Sequence, residues 1–196
     1  MNIIILRLLL IHFNNLCKSI GKIQGIGKKT SLKMAYYLCY ENKNLLEELV
    51  NSLENAKKNI KECSICGCLS ENELCDYCVN LELDEIICLV ESPKDVFFID
   101  ECNVYEGRYF ILSKMNEYYL KKLEQMIIKF DIKELLLAYT PSVSTDTLCF
   151  YLEDYFKNYN IKISKIAQGV PNGIKIQDID INSLTSAIVN KVSFDA

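Results

Sequence analysis

The sequence predicts an α/β protein with a helical N-terminal module, a four-cysteine finger and a mostly parallel four-stranded sheet with helices on both faces. Short unbroken apolar runs, of which 86–90 is the clearest, are typical of strands buried on both faces. Amphipathic stretches alternate with these runs, which indicates crossover helices between parallel strands. The predicted strands span 86–90, 109–112, 135–138 and 161–166; the helices between them follow Pro93 and span 116–130 and 145–159.

The first 61 residues are predicted to be helical. Met1–Ile11 is strongly apolar but shorter than the roughly 18 residues of a membrane-spanning helix, so we expect a buried or oligomer-facing helix and no membrane segment. A signal sequence is the alternative. Two amphipathic helices should follow, from about Lys29 and from about Asn44. Their predicted inward faces are Leu32, Ala35, Tyr36 and Cys39 in the first, and Leu46, Leu49, Leu53, Ala56 and Ile60 in the second.

Charge is distributed unevenly along the chain, whose net charge is −4. Residues 1–61 hold ten Lys and Arg against four Asp and Glu, a balance of +6, whereas the remainder holds 12 against 22, a balance of −10. The overall charge argues against a generally basic nucleic-acid coat protein. The asymmetry indicates that a polyanionic partner contacts the N-terminal part. A chance distribution of solvated surface charge is the alternative.

Four of the ten cysteines form two Cys-x2-Cys pairs, Cys63 with Cys66 and Cys75 with Cys78. Two such turns place four sulfurs in tetrahedral geometry, which predicts one Zn²⁺ per chain. Because all four ligands are cysteines, no coordination position stays open, so the metal should be structural. Cys68 is outside this register. Reduced thiols or an iron–sulfur site are the alternatives, and the remaining cysteines suit a reducing cytoplasm.

A glycine-punctuated turn between two predicted helices carries Gly25, Gly27, Lys28 and Lys29, with Lys33 one turn later. Glycines let the backbone approach a phosphate closely, and a helix N-terminus directs free N–H groups at it. The segment therefore predicts a helix–hairpin–helix element that grips the DNA backbone without recognising bases. It is not a P-loop, because positions 22 and 29 lack the required Gly and Ser or Thr. A turn that merely packs two helices is the alternative.

Acidic residues follow two of the predicted strands, Glu91 after the first and Asp146 after the third. The carboxyl ends of parallel strands are where α/β sheets place chemistry, but Mg²⁺-dependent phosphoryl transfer needs more clustered carboxylates. We therefore predict no catalytic residue and assign both acids to a partner contact or a weak metal contact. Solvated strand-end loops are the alternative.

The order of these parts resembles the RecR family of bacterial recombination mediators. The resemblance rests on 25–29 with 33–35, the two cysteine pairs, 88–96, 107–112, and 167–173 with Asp180. It implies that the sheet belongs to a Toprim domain and that the protein is non-enzymatic and acts in DNA repair. It further implies a ring-like homo-oligomer, a dimer or tetramer, that encircles DNA and works with RecO, and with RecF where present, to load the recombinase RecA.

The resemblance sets the expected boundaries: a helix–hairpin–helix module at 1–61, a zinc finger at 62–79, a Toprim-like domain at 84–173 and a C-terminal strand and helix at 174–196. Two loops depart from the family pattern, because a stretch is missing after Leu112 and the acidic loop is replaced by 144–146. Two other functions are alternatives to a recombination mediator. One is a Toprim-type Mg²⁺-dependent nuclease or primase-like enzyme using Glu91 and Asp146, and the other is a zinc-ribbon adaptor that does not bind DNA.

Overall fold

The computed structural model describes residues 10–140 and 142–167, together with the single positions 179, 181, 183 and 185. The chain divides into two compact units, Met1–Ile60 and Lys61–Ala196. Most of the apolar stretch Met1–Ile11, and most of the strand and helix predicted after residue 173, lie outside the described residues.

The first unit is helical. Helix α1 is Ile11–Ile20, α2 is Lys28–Tyr36, a π-helical turn covers Tyr37–Glu41, and α3 is Lys43–Asn59. Within residues 10–60, the buried apolar core is small and consists of Ile20, Ala35 and Leu38, with Phe13, Leu16, Cys17, Ile26, Leu45 and Leu46 packed against it.

The predicted inward face of α2 is correct for Ala35 and wrong for Leu32 and Tyr36. Leu32 and Tyr36 are about half exposed, and the buried residues are Ser31, Ala35 and Leu38, spaced i, i+4, i+7. The Ser31 hydroxyl donates to a backbone carbonyl one turn earlier (3.0 Å), so a polar side chain is buried there without losing its hydrogen bond.

The predicted inward face of α3 is likewise largely uncovered. No residue of α3 is buried, and Leu53 is 68% exposed; Leu49 and Ile60 are also exposed. Only Leu45 and Leu46, near the start of the helix, pack against the small core. The first unit therefore presents an apolar stripe that its own chain does not cover among the described residues.

The second unit has the predicted α/β architecture. Strands β1 (Lys61–Glu62) and β2 (Leu69–Ser70) form an antiparallel pair, followed by the short helix α4 (Asp76–Val79). A four-stranded sheet in the order β4-β3-β5-β6 follows, and all its strand pairs are parallel. Its strands are β3 (Ile86–Val90), β4 (Arg108–Ile111), β5 (Glu134–Leu137) and β6 (Lys162–Lys165); the connecting helices are α5 (Pro93–Glu101), α6 (Glu117–Phe130) and α7 (Val143–Tyr155).

The strand order explains why helices cover both faces. The crossover through α5 runs outward from β3 in one direction, whereas those through α6 and α7 run in the other. Right-handed crossovers then place α5 on one face of the sheet and the other two helices on the opposite face. The central strand β3 is fully buried from Ile87 to Val90, which accounts for its unbroken apolar sequence. The predicted fold class is confirmed.

Arg108 is a charged residue inside this core, only 2% exposed. Its guanidinium donates to the carbonyls of Leu83 (3.2 Å), Asp84 (3.0 Å) and Asn80 (3.0 Å), and lies 4.3 Å from the centroid of the Phe130 ring. Burial lowers the pKa of Arg108. This side chain fixes the connection between the finger and β3.

Replacing Arg108 with lysine should lower the free energy of unfolding by about 1–3 kcal/mol, because a single ammonium cannot span three carbonyls and leaves buried acceptors unpaired. Urea denaturation measures the change. Lys157→Ala is the matched control: it removes a cation whose ion pair with Asp154 is exposed, and should cost less than about 1 kcal/mol. Equal losses in the two variants would contradict the structural role of Arg108.

Candidate metal centre and nucleic-acid interface

Four buried thiols converge in the second unit. The sulfurs of Cys63, Cys66, Cys75 and Cys78 all lie within 4.8 Å of one another. The first pair lies in the turn between β1 and β2, where the Gly67 amide donates to the Cys63 carbonyl (3.0 Å); the second pair brackets the start of α4. In the described part of the chain, this is the one group of three or more residues able to hold a metal ion.

Gly67 gives the first cysteine turn its shape. Its φ of +79° lies in the left-handed region, which side chains other than glycine disfavour. A Cβ at this position would lie 3.2 Å from the Cβ of Ile111, so the turn packs closely on β4. The Ile111 amide donates to the Cys66 carbonyl (2.8 Å), which joins the finger to the sheet by a backbone hydrogen bond.

The electrostatics of the four thiols favour a bound cation. Hydrogen bonds from Cys63 and Cys68 lower the pKa of Cys66 to about 4, whereas hydrogen bonding to the neighbouring sulfurs raises the pKa of Cys63 and Cys78. Without a cation the sulfurs share protons, because four buried thiolates would repel one another. A divalent ion removes this conflict, and four cysteine sulfurs are the donor set of a structural zinc site. The residues present therefore fit the metal.

A tyrosine–aspartate contact also fixes the finger to the α/β body. The Tyr77 hydroxyl, on α4, donates to one oxygen of Asp100, and the Tyr109 hydroxyl, on β4, donates to the other at 2.7 Å. The two rings meet edge to face with centroids 4.9 Å apart. Burial raises the pKa of both tyrosines, so both stay protonated and act as donors.

In the first unit, the glycine turn lies between α1 and α2 as the sequence predicts. Gly25 has a φ of +85°, and Gly27 precedes α2 with an extended backbone and no side-chain cap. No atom lies within 4 Å of where a Cβ would stand at either glycine, so both backbones are open to a ligand. Lys28, Lys29 and Lys33 are exposed. Open backbone, free helix N–H groups and nearby amines suit an anion such as phosphate.

The two acidic residues predicted at the end of the sheet have different surroundings. Glu91 is exposed and lines a cavity of about 280 Å³ next to Cys63 and Cys66. Asp146 lies in the first turn of α7 and forms an ion pair with Lys165 at the end of β6 (2.6 Å). Within the described ranges, neither acid belongs to a group of three or more potential metal ligands.

Sequence reasoning did not identify several residues around these sites. Lys122 and Tyr118, on α6, line the cavity beside Glu91. Asp100 and Lys165 supply the contacts to Tyr77 and to Asp146 described above. No local signal could have found these residues, since each contact joins parts of the chain that are distant in sequence.

Comparison with known proteins identifies relatives along nearly the whole chain. No family model matches. The protein named Recombination protein RecR from Campylobacter jejuni (strain RM1221) is 45% identical over 177 residues, which cover 90% of this chain and 93% of the relative. The chain belongs to the RecR family. A RecR protein from Helicobacter pylori (strain P12) is 38% identical over 182 residues, covering 92% of this chain and 94% of the relative.

Membership of the RecR family confirms the resemblance drawn from the motifs, and it makes the chain a member of a family of recombination proteins. The buried four-cysteine cluster supports assignment of a zinc finger. None of the helices in the described residues has both the length and the apolar character needed to cross a bilayer.

Replacing Cys63 with serine should abolish stoichiometric metal binding and loosen the finger, because a hydroxyl is a poor substitute for a buried thiolate ligand. Metal analysis of the purified protein and near-ultraviolet circular dichroism measure the two effects. Cys68→Ser is the matched control, since Cys68 is equally buried but outside the four-sulfur group. Parent protein without bound metal, or equal metal loss in both variants, would refute the site.

Proposed function

We propose that this chain is a DNA-binding recombination mediator that helps load a RecA-type recombinase on single-stranded DNA together with RecO, and with RecF where RecF is present. Family membership supports a role in recombination. The observation that carries DNA binding is the open hairpin, in which Gly25 and Gly27 leave the backbone accessible beside three exposed lysines.

The charges favour recognition of the DNA backbone over recognition of sequence. Residues 1–61 carry a balance of +6, while the rest of the chain repels polyanions. Amines and helix N–H groups contact phosphates, which are the same at every base pair. Binding through them should therefore be independent of sequence and should weaken steeply as counterions compete.

The double variant Lys29→Ala/Lys33→Ala should weaken DNA binding at least tenfold at low salt and should make binding less sensitive to salt, because two phosphate contacts disappear. Fluorescence anisotropy with a labelled oligonucleotide measures both quantities. Lys57→Ala/Lys58→Ala removes the same charge from the exposed last turn of α3 and is the matched control. If both double variants bind alike, the hairpin is not the DNA site.

We propose that the metal is zinc, one ion per chain, and that it is structural. We also propose that the protein is not an enzyme: Asp146 is neutralised by Lys165, and Glu91 lines a different feature, the cavity beside the cysteine cluster. That cavity, with Glu91 at its edge, is the surface proposed for a protein partner such as RecO.

All ten cysteines are unpaired, which supports location of the protein in a reducing cytoplasm.

We propose that the chain divides as the sequence indicates, into a module at 1–61, a finger at 62–79, a Toprim-like domain at 84–173 and a C-terminal segment at 174–196. We further propose that it forms a ring-like homo-oligomer, a dimer or a tetramer. The uncovered stripe of α3 supports self-association, because Leu49, Val50 and Leu53 are all exposed on a helix that packs on a very small core in the described part of the unit.

The variant Leu53→Glu should lower the mass of the protein in solution, because a buried carboxylate at an apolar interface is unfavourable. Light scattering at micromolar concentration measures the mass. Val104→Glu, which alters an exposed apolar residue of the second unit, is the control and should leave the mass unchanged. A parent protein that is already monomeric would contradict self-association.

A further inference from the structure

A single stripe on the first unit carries two amines followed by two aromatic rings. Lys29, Lys33, Tyr36 and Tyr40 are spaced i, i+4, i+7, i+11, so they lie on one side of the helical segment, over a length of about 16 Å. All four are exposed, and Tyr36 and Tyr40 keep 48% and 74% of their surface accessible. The stripe begins beside the glycine hairpin.

The two tyrosine rings are already arranged for stacking. Their centroids are 5.2 Å apart and their planes differ by 28°, so they lie face to face in solvent. A pair of exposed rings in register with two lysines combines aromatic and cationic groups along one line.

A rigid local structure holds the ring pair. The π-helical turn is closed by a hydrogen bond from the Asn42 amide to the Tyr37 carbonyl (2.8 Å). Leu38, between the two exposed rings in sequence, is buried in the core, and the Asn42 side chain caps α3 by accepting from the Leu45 amide (3.0 Å). The turn is therefore fixed from both sides, which keeps Tyr36 and Tyr40 pointing outward with little entropy left to lose on binding.

We propose that this stripe binds single-stranded DNA, with Lys29 and Lys33 on phosphates and Tyr36 and Tyr40 stacking on unpaired bases. The proposal rests on the DNA-binding function proposed above and adds recognition of unpaired bases to it. Stacking on an aromatic side chain contributes about 1–3 kcal/mol per base and tolerates any sequence. In a duplex the base faces are stacked on one another, so the rings gain nothing from double-stranded DNA.

The charge next to the rings favours nucleic acid over a second copy of this chain. Two copies joined through the stripe would place four lysines in one interface, and the stripe itself holds no carboxylate to neutralise them, which costs free energy. A polyanion with exposed bases matches both halves of the stripe: its phosphates satisfy the amines, and its bases cover the rings.

The test compares three labelled probes of equal length at one salt concentration: oligothymidylate, a duplex, and an oligonucleotide lacking bases. The variant Tyr36→Leu/Tyr40→Leu keeps apolar side chains but removes both rings. It should bind oligothymidylate about tenfold more weakly than the parent and bind the other two probes as the parent does. The matched control Tyr36→Phe/Tyr40→Phe keeps the rings and should retain parental affinity for all three.

The outcomes separate this proposal from the function on which it rests. A parent protein that binds none of the probes overturns both. A parent that binds DNA through Lys29 and Lys33, with no loss in the leucine variant, overturns only the stacking proposal. An equal loss on all three probes also overturns it, and a lower mass of the leucine variant by light scattering would then identify the stripe as an interface between copies. Thermal melting followed by circular dichroism verifies that each variant folds.

Discussion

Close approach of four thiols beside the sheet is the contact around which the second unit is organised. Sulfurs within 4.8 Å of one another cannot all ionise without a cation, so a metal ion bound there would stabilise the cysteine turns, and the turns would hold the ion. Three further links then join the finger to the body: the Ile111–Cys66 backbone bond, Asp100 between two tyrosines, and Arg108 on the Asn80 carbonyl. The cysteines consequently share one hydrophobic core with the strands.

The first unit differs from the second in how few of its described side chains are buried. Among its described residues the buried apolar core has three members, so little of the described sequence is committed to packing. Apolar, aromatic and basic side chains are left on the surface instead, arranged by helical geometry into distinct stripes. Its helices therefore hold many surface groups at fixed spacing.

Local sequence patterns were enough to predict much of the second unit. Apolar runs predict the strands of the parallel sheet, amphipathic periodicity predicts the helices, and the paired cysteine turns predict the four-cysteine group. The inward face of α2 could not be predicted in this way, because Leu32 has the stronger apolar character but Ser31 is the residue that is buried, with its hydroxyl bonded to the helix backbone. The ion pair between Asp146 and Lys165 could not be predicted from the sequence either, because it depends on how β6 lies beside β5. Burial of Arg108 arises from loop carbonyls that no side-chain pattern reveals.

The position of the finger has a consequence for how the sheet avoids unwanted association. In the part of the sheet that the structure describes, β4 and β6 are the two edges, and the β4 sequence Arg-Tyr-Phe-Ile would offer an apolar template to another chain. The outward-facing amide of Ile111 donates a hydrogen bond to the Cys66 carbonyl. The cysteine turn therefore blocks this part of the edge from pairing with another strand. The opposite edge, β6, carries Lys162 and Lys165 at its two ends. One edge is thus blocked by the four-cysteine turn and the other by charge. Only the first would open if the sulfurs were oxidised or, in a metal-bound protein, if the ion were removed.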